Sequence, residues 1–517
     1  MNPVPVIDLF AGPGGLGEGF SSLFEGNLPC FKIALSIEKE PNAHLTLELR
    51  SFFRQFAPKK VPEDYYRFLR QEISREALFY NYPEQAAKAR SEAKLATLGG
   101  IDATQVDEWI HEALQENRKE WVLIGGPPCQ AYSLAGRSRN KGKRGYEPAN
   151  DTRHYLYREY LRIISQHWPS VFVMENVKGL LSSKIDGQRL FNKIYEDLQN
   201  PGKATESEER YRYRIYSLVE SSNPILGVDN VFTIKSETYG IPQARHRVIL
   251  LGVRDSVEFE NLTPKTLQPE NEYITTWDVI ADLPKIRSGL TSQVNGKAWV
   301  ETICDVRNTT WYHDLSELEK EKIDETLTKL NETVSSMPKL GSIYMKPATC
   351  ILSKLREWYV DEKLEGVCNH ITRGNMPSDL HRYFYAAVYA SIHSKSPTLN
   401  DLPLDLLPSH KNVNKALESK NLFNDRFRVQ LPDKPSTTIT SHISKDGHYY
   451  IHPDPVQCRC LSVREAARLQ TFPDNYFFCG SRTAQYTQVG NAVPPLLASK
   501  IAKIVTTLLK ESRRVHA

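Results

Sequence analysis

A short apolar run, Val4 to Phe10, opens directly into Gly12, Gly14, Gly15, Gly17 and Gly19. A buried strand that turns sharply into a helix is the simplest structure for such a sequence. Gly12-x-Gly14-Gly15-x-Gly17 satisfies the G-x-G-x-x-G pattern, and Glu38 closes a second strand-like run, Phe31 to Glu38, about 20 residues further on. In an open α/β sheet this arrangement lets backbone approach a nucleoside-containing ligand while the acid takes ribose hydroxyls. A dinucleotide and S-adenosylmethionine both meet that description. Phe10 offers a ring to stack on a base or lie against a sulfonium. Asp8 puts negative charge where a pyrophosphate would sit, which disfavours the dinucleotide and is tolerable for a cationic sulfonium.

Three more buried strands are expected, at Trp121–Ile124, Val171–Met174 and Val248–Val253. Tyr157, Leu161, Ile164 and Trp168 recur at the spacing of one helix face. Strands alternating with helices through about residue 255 predict a mostly parallel, helix-covered sheet. Residues 62–120 read as a charged helix pair inserted on the outside of that sheet. From 256 to 455 prolines are frequent and periodicity is poor, which predicts a separate, irregular mixed domain. Within it, Thr438–Ser444 and His448–His452 flank Asp446-Gly447 as a hairpin would. Beyond it, Ser462 with Glu465 forms a capping box ahead of a helix that Pro473 ends, and Pro494-Pro495 start a helix with Leu497, Ile501, Ile504 and Leu508 on one face. The expected division is 1–255, 256–455, and a return to the first domain at 456–517.

Composition narrows the classes. The chain of 517 residues is 40% hydrophobic and 25% charged with a net charge of +4, so it is an ordinary globular protein for which nucleic acid is an allowed partner. No unbroken apolar run approaches 18 residues and the N-terminus has no signal-peptide pattern, so neither a membrane span nor export is expected. Eight cysteines without a Cys-x-x-Cys predict a reduced, cytosolic protein, and no cluster has metal-ligand spacing.

Several reactive side chains fall at the expected strand ends. Gly125-Gly126-Pro127-Pro128-Cys129-Gln130 holds one thiol on a stiff turn at the sheet's rim. Arg137, Arg139, Lys141, Lys143 and Arg144 follow before any acid, a setting that favours thiolate and suits a lid closing on phosphates. Glu175 ends another strand, where a carboxyl can act as general acid or bond a base edge. Arg245 and Arg247, two apart on an extended segment, would point the same way and hold a carboxylate, phosphate or base carbonyl.

Taken in order, these blocks resemble the DNA cytosine carbon-5 methyltransferases. Asp8-Leu9-Phe10-Ala11-Gly12-Pro13-Gly14-Gly15 is similar to the family's cofactor loop. Gly126-Pro127-Pro128-Cys129-Gln130 with Ser133 resembles its nucleophile block, and Glu175-Asn176-Val177 its acid block. Gln243-x-Arg245-x-Arg247 resembles its arginine block. Arg464 to Pro473 and Gln488 to Pro495 resemble its last two blocks. The resemblance implies a Rossmann-like S-adenosylmethionine-dependent methyltransferase fold with a smaller target-recognition domain at 256–455. It implies catalysis by Cys129, Glu175, Arg245 and Arg247. Cofactor binding would fall to Phe10, Gly12, Gly14, Gly15, Glu38, Pro127, Asn491 and Val493. The family's Gly-Asp-Ile is altered here to Gly99-Gly100-Ile101-Asp102, with Asp102 as the adenine contact. Ser133 and the five basic residues from Arg137 to Arg144 would contact double-stranded DNA.

The chemistry implied is attack of Cys129 at carbon 6 of a flipped-out cytosine, with Glu175 at nitrogen 3 and methylation at carbon 5. The size resembles a monomeric prokaryotic modification enzyme in the cytoplasm, paired with a restriction endonuclease of the same specificity. Three rivals stand beside this reading. The tRNA-methylating branch usually lacks so large a recognition region, and its Cys-Phe-Thr signature is not found here. An NAD-dependent dehydrogenase leaves the Pro-Pro-Cys-Gln block unexplained. A catalytically silent DNA-binding relative is disfavoured by the presence of Cys129, Glu175 and both arginines.

Overall fold

The computed structural model describes residues 2–117, 119–128, 153–185, 188–220, 231–291, 298–346, 354–409 and 424–515. They fall into two compact units, one of residues 1–61, 76–272 and 492–517, the other of residues 62–75 and 273–491.

An eight-stranded sheet organises the first unit. Its strands are β1 (Val4–Leu9), β2 (Phe31–Glu38), β3 (Ala93–Leu95), β4 (Val122–Gly125), β5 (Val171–Val177), β6 (Tyr213–Tyr216), β7 (Thr233–Lys235) and β8 (His246–Arg254). The order is β6-β8-β5-β4-β1-β2-β3, with β7 also paired to β8. From β5 to β3 all neighbours are parallel. Only around β8 does the sheet turn antiparallel, against β5, β6 and β7.

The central strands read as unbroken apolar runs because both faces are covered. On one face Ile7, Leu9, Leu123, Phe172, Met174, Val248 and Leu250 meet α3 (Ala103–Leu114), α4 (Arg153–His167) and α5 (Leu190–Gln199). On the other, Val4, Val6, Ile124, Val171, Val173, Ile249 and Leu251 meet α1 (Gly15–Ser21) and the helix Pro495–Val515. Leu497, Ile501, Ile504 and Leu508 are all buried there, as their spacing requires. The chain from Arg482 to Arg514 is long and apolar enough to cross a membrane by length and composition. Lys500 and Lys503 interrupt its apolar pattern, so it holds no unbroken apolar run of 18 residues. Most of its apolar window is buried within the fold, as in a core helix.

Residues 62–120 are not an external helix pair. Residues 62–75, with the helix Glu63–Leu69, belong to the second unit. Ala93–Leu95 is an edge strand pairing with Ser36 to Glu38, and Val106, Ile110 and Leu114 of α3 enter the core. The short strand is not legible in the sequence because it follows the Ala-rich helix α2 (Pro83–Glu92) without a turn signal.

The second unit packs the helices Glu317–Thr333 and Pro377–His393 around a core that includes Trp311, Leu327, Tyr383 and Phe384. Residues 456–491, expected with the catalytic sheet, are part of this unit. The reason is a set of buried arginines. Arg459 pairs with Glu465 at 2.6 Å, and Arg468 pairs with Asp474 at 2.7 Å and with Asp282 at 2.5 Å. Arg464 donates to the carbonyls of Cys368, Pro473 and Tyr476. The Ser462–Glu465 capping box forms as expected. The hairpin around Gly447 does not: Ser441–Ser444 is a 3-10 turn, and Ile451 makes only isolated bridges, to Val429 and Cys460.

Gly19 of α1 closely approaches the helix Pro495–Val515, since a Cβ there would overlap the Pro495 carbonyl and the Ala498 side chain. Gly19→Ala is expected to destabilise the protein by about 1–3 kcal/mol, read as a lowered urea midpoint with an unchanged slope.

Candidate active site

The strands that carry the reactive residues end on one rim. β1, β2, β4 and β5 are parallel and β8 runs against β5, so the ends of the first four and the start of the last share an edge. Leu9 stands opposite Gly125, Gly125 opposite Met174, and Val177 opposite Arg247. Ligands of open α/β sheets bind outside such carboxyl ends.

Glu175 and Arg247 meet at this rim, with Arg247 Nε 2.9 Å from Glu175 Oε1 and each side chain 13% exposed. Burial lowers the affinity of the Arg247 guanidinium for its proton, and the Glu175 carboxylate opposes that. Arg247 Nη1 also donates to the His246 carbonyl at 2.9 Å, which fixes the fork. Arg245, expected beside it, is 1% exposed and is anchored through its backbone: its carbonyl accepts from Ser236 N and Oγ at 3.2 and 2.6 Å. The ion pair with Glu175 is thus made by Arg247.

The Gly126-Pro127-Pro128 turn reaches the same carboxyl. A Cβ on Gly126 would sit 3.0 Å from Glu175 Oε2, so a larger residue would press on the acid. Asn176 Nδ2 donates to the Pro127 carbonyl at 3.0 Å while its Oδ1 accepts from Val177 N at 2.9 Å. This buried amide ties the turn to β5. Its role was not assigned from sequence, although its place directly after the acid at a strand end was a usable signal. Cys129, Ser133, Arg137, Arg139, Lys141, Lys143 and Arg144 lie outside the described residues.

The glycine loop completes the rim. Phe10 (φ 57°), Gly12 (φ 59°) and Gly14 (φ 94°) all adopt left-handed backbone. Glycine takes that conformation without penalty, and Phe10 does so under strain. Gly12 N donates to Glu38 Oε2 at 2.7 Å, and the Lys39 and Glu40 amides donate to Oε1 at 2.9 and 2.8 Å. The acid is thereby held at the loop. The space beside Gly12 is open, with nothing within 4 Å of where a Cβ would stand. Gly15 abuts the Val493 carbonyl so closely that a Cβ would collide with it, which brings Val493 to the loop. Asn491 is exposed at the end of the helix Arg482–Asn491, in the second unit. Asp102 caps α3, accepting from Thr104 N at 2.9 Å, and this bond holds its carboxyl below the usual range.

A family model described as C-5 cytosine-specific DNA methylase matches residues 97–506. The chain is 36% identical over 524 residues to the Type II methyltransferase M.Bpa9945I of Bacillus paralicheniformis, covering 98% of this chain and 99% of that one. It is 24% identical over 459 residues to the DNA (cytosine-5-)-methyltransferase M.ApeKI of Aeropyrum pernix, covering 81% and 87%. A solved E. coli structure, named as a DNA modification methyltransferase encoded within a prophage, shares the fold with a TM-score of 0.51 at 19% identity, covering 98% of this chain and 99% of that one. The chain belongs to the C-5 cytosine-specific DNA methylase family.

Proposed function

We propose that this enzyme transfers a methyl group from S-adenosylmethionine to carbon 5 of a cytosine in a specific sequence of double-stranded DNA. The observation that carries the reading is the Glu175–Arg247 pair lodged against Gly126 and the Pro127 turn, one residue short of Pro128-Cys129. The loop suits the methyl donor: Glu38 is held within reach of Gly12, the space beside Gly12 is open, and Phe10 stands half-buried at its entry. S-adenosylmethionine supplies a methyl group on a sulfonium leaving group.

The protein's own residues account for the rest. Cys129, as thiolate, forms a bond to carbon 6, and the carbon 5–carbon 6 π pair moves onto carbon 5. Glu175 shares a proton with nitrogen 3 and so takes up the negative charge that develops on the ring. Arg247 keeps Glu175 aimed at that atom and contributes positive charge near the base carbonyl. After carbon 5 has taken the methyl group, a water removes its proton, the electron pair re-forms the double bond, and Cys129 leaves as thiolate. The target base is inaccessible within a duplex and is flipped out to reach this rim. Residues 256–455 read sequence from the groove, and Ser133 with the basic run from Arg137 to Arg144 holds the backbone. Asn491 and Asp102 are assigned to the cofactor and Arg245 to the acid on the resemblance of their blocks alone. Relatives named as Type II methyltransferases support a modification role within a restriction-modification system.

With tritiated S-adenosylmethionine and mixed-sequence duplex DNA, label is expected at cytosine carbon 5 and is expected to vanish in Cys129→Ser. Bisulfite sequencing of the product then reads the recognition site. Label in tRNA instead would move the assignment to the RNA branch, and DNA binding without label would sink the mechanism. Asn176→Ala frees the Pro127 carbonyl, and kcat is expected to fall by about 10²-fold through misplacement of Cys129. The Kd for DNA should change little, and a fall in kcat together with a rise in Kd would count against this positioning role.

A further inference from the structure

Under the glycine loop lies a carboxyl group that the proposed reaction leaves unused. Asp8, the last residue but one of β1, is 1% exposed, and among the described residues no side chain hydrogen-bonds to either of its oxygens. Gly17 of α1 lies directly against it, where a Cβ would stand 3.1 Å from Oδ2. An ionised carboxylate is strongly disfavoured in such a place.

The charges around it are already matched. Arg50 donates to both oxygens of Glu18, at 2.8 and 2.5 Å. Burial pushes the Glu18 carboxyl up, but Arg50, with Arg54 behind it, holds it below its ordinary range. Arg54 pairs with Glu92 at 2.5 Å and lies 3.9 Å from Glu18. Two guanidinium groups and two carboxylates therefore balance. Glu38 is held by three backbone amides. The Tyr160 hydroxyl of α4 is kept neutral, first by burial and then by Asp8 itself. Asp8 is left with no cation of its own among the described residues. Burial pushes its carboxyl up to about 8; Arg54 and the Gly17 backbone draw it back, while Glu38 and Glu92 add to the rise.

We propose that Asp8 is a proton-linked counter-charge for the methyl donor, neutral in the free enzyme and ionised once the sulfonium seats on the Phe10–Gly14 loop. The inference rests on the S-adenosylmethionine reading of that loop. The proton passes to solvent when the donor binds. It returns from solvent when methyl transfer has turned the sulfonium into an uncharged thioether. The donor is thereby held by a charge that its product does not meet. Because binding releases a proton, donor affinity rises with pH up to about 8 and levels off above it.

The test is calorimetric titration of the full chain with S-adenosylmethionine, and separately with S-adenosylhomocysteine, near pH 7 in buffers of different ionisation enthalpy. The donor is expected to release at least about half a proton more from the wild type than from Asp8→Asn, which has the shape of the neutral acid. Near pH 6 the two proteins should bind the donor alike, and above pH 8 the wild type should bind it roughly tenfold tighter. The thioether should show no such difference. The ligand's own amino group titrates in both proteins and cancels in the comparison. Asp8→Ser, smaller and uncharged, is the second variant and must show the same reduced proton release as Asp8→Asn. Equal proton release from wild type and both variants would overturn the role of Asp8 and leave the cofactor assignment standing. Failure of either ligand to bind the wild type would overturn the cofactor assignment and this proposal with it.

Discussion

The antiparallel ladder between β8 and β5 sets Ile249 opposite Glu175 and Arg247 opposite Val177, and through it the start of one strand meets the end of another. Were β8 parallel to its neighbour, Arg247 would emerge at the far edge, a full seven-residue strand or about 20 Å away. The register is not free to drift. Val248 and Leu250 belong to one apolar layer, and Ile249, Leu251 and Val253 to the other. A slip of one residue would exchange them. The two core faces and the ion pair at the rim are therefore a single constraint met at three places.

Buried charge is handled in two different ways in this molecule. In the second unit Arg459, Arg464 and Arg468 are surrounded by carboxylates and carbonyls, and their hydrogen bonds are made within the protein. Such groups fix a structure, and removal of one partner would leave an uncompensated charge. At the rim of the first unit the Glu175–Arg247 pair keeps partial exposure, and Asp8 has no side-chain hydrogen-bond partner among the described residues. Polar groups left incompletely paired near a cleft are where a protein has kept something for its ligand.

Much of this was readable from residue order. Apolar runs bounded by Gly, Pro or an acid gave five of the eight strands, because a strand covered on both faces must be apolar throughout. The Ser462 cap and the Pro494-Pro495 helix start follow local rules that tertiary context did not override. The three-residue β3 was hidden by its brevity. The hairpin at Gly447 failed because a turn signal says nothing about whether flanking strands find partners. Arg464 and Arg468 lie in a block that sequence placed with the catalytic sheet, yet their burial depends on Cys368, Asp282 and Asp474, far away in the chain. At the candidate site, residue types and strand ends were legible. The resemblance set Arg247, helped by Arg245, to orient Glu175, but the pairing geometry itself depends on which residue begins the ladder, which residue order does not show.

The first unit takes its covering helix from residues beyond 491, and this has a consequence in time. At about 5–20 residues per second, roughly half a minute to a minute and a half of translation separates the making of β1 from that of Pro495. Throughout that interval Val4, Val6, Val122, Ile124 and Val173 lack the Leu497, Ile501 and Val505 that bury them. The nascent sheet shows the cell a broad apolar face, open to chaperones and to neighbouring chains on the same message. How long that exposure lasts is set by the ribosome, and a slow codon near the end of the message would lengthen it without altering a single residue.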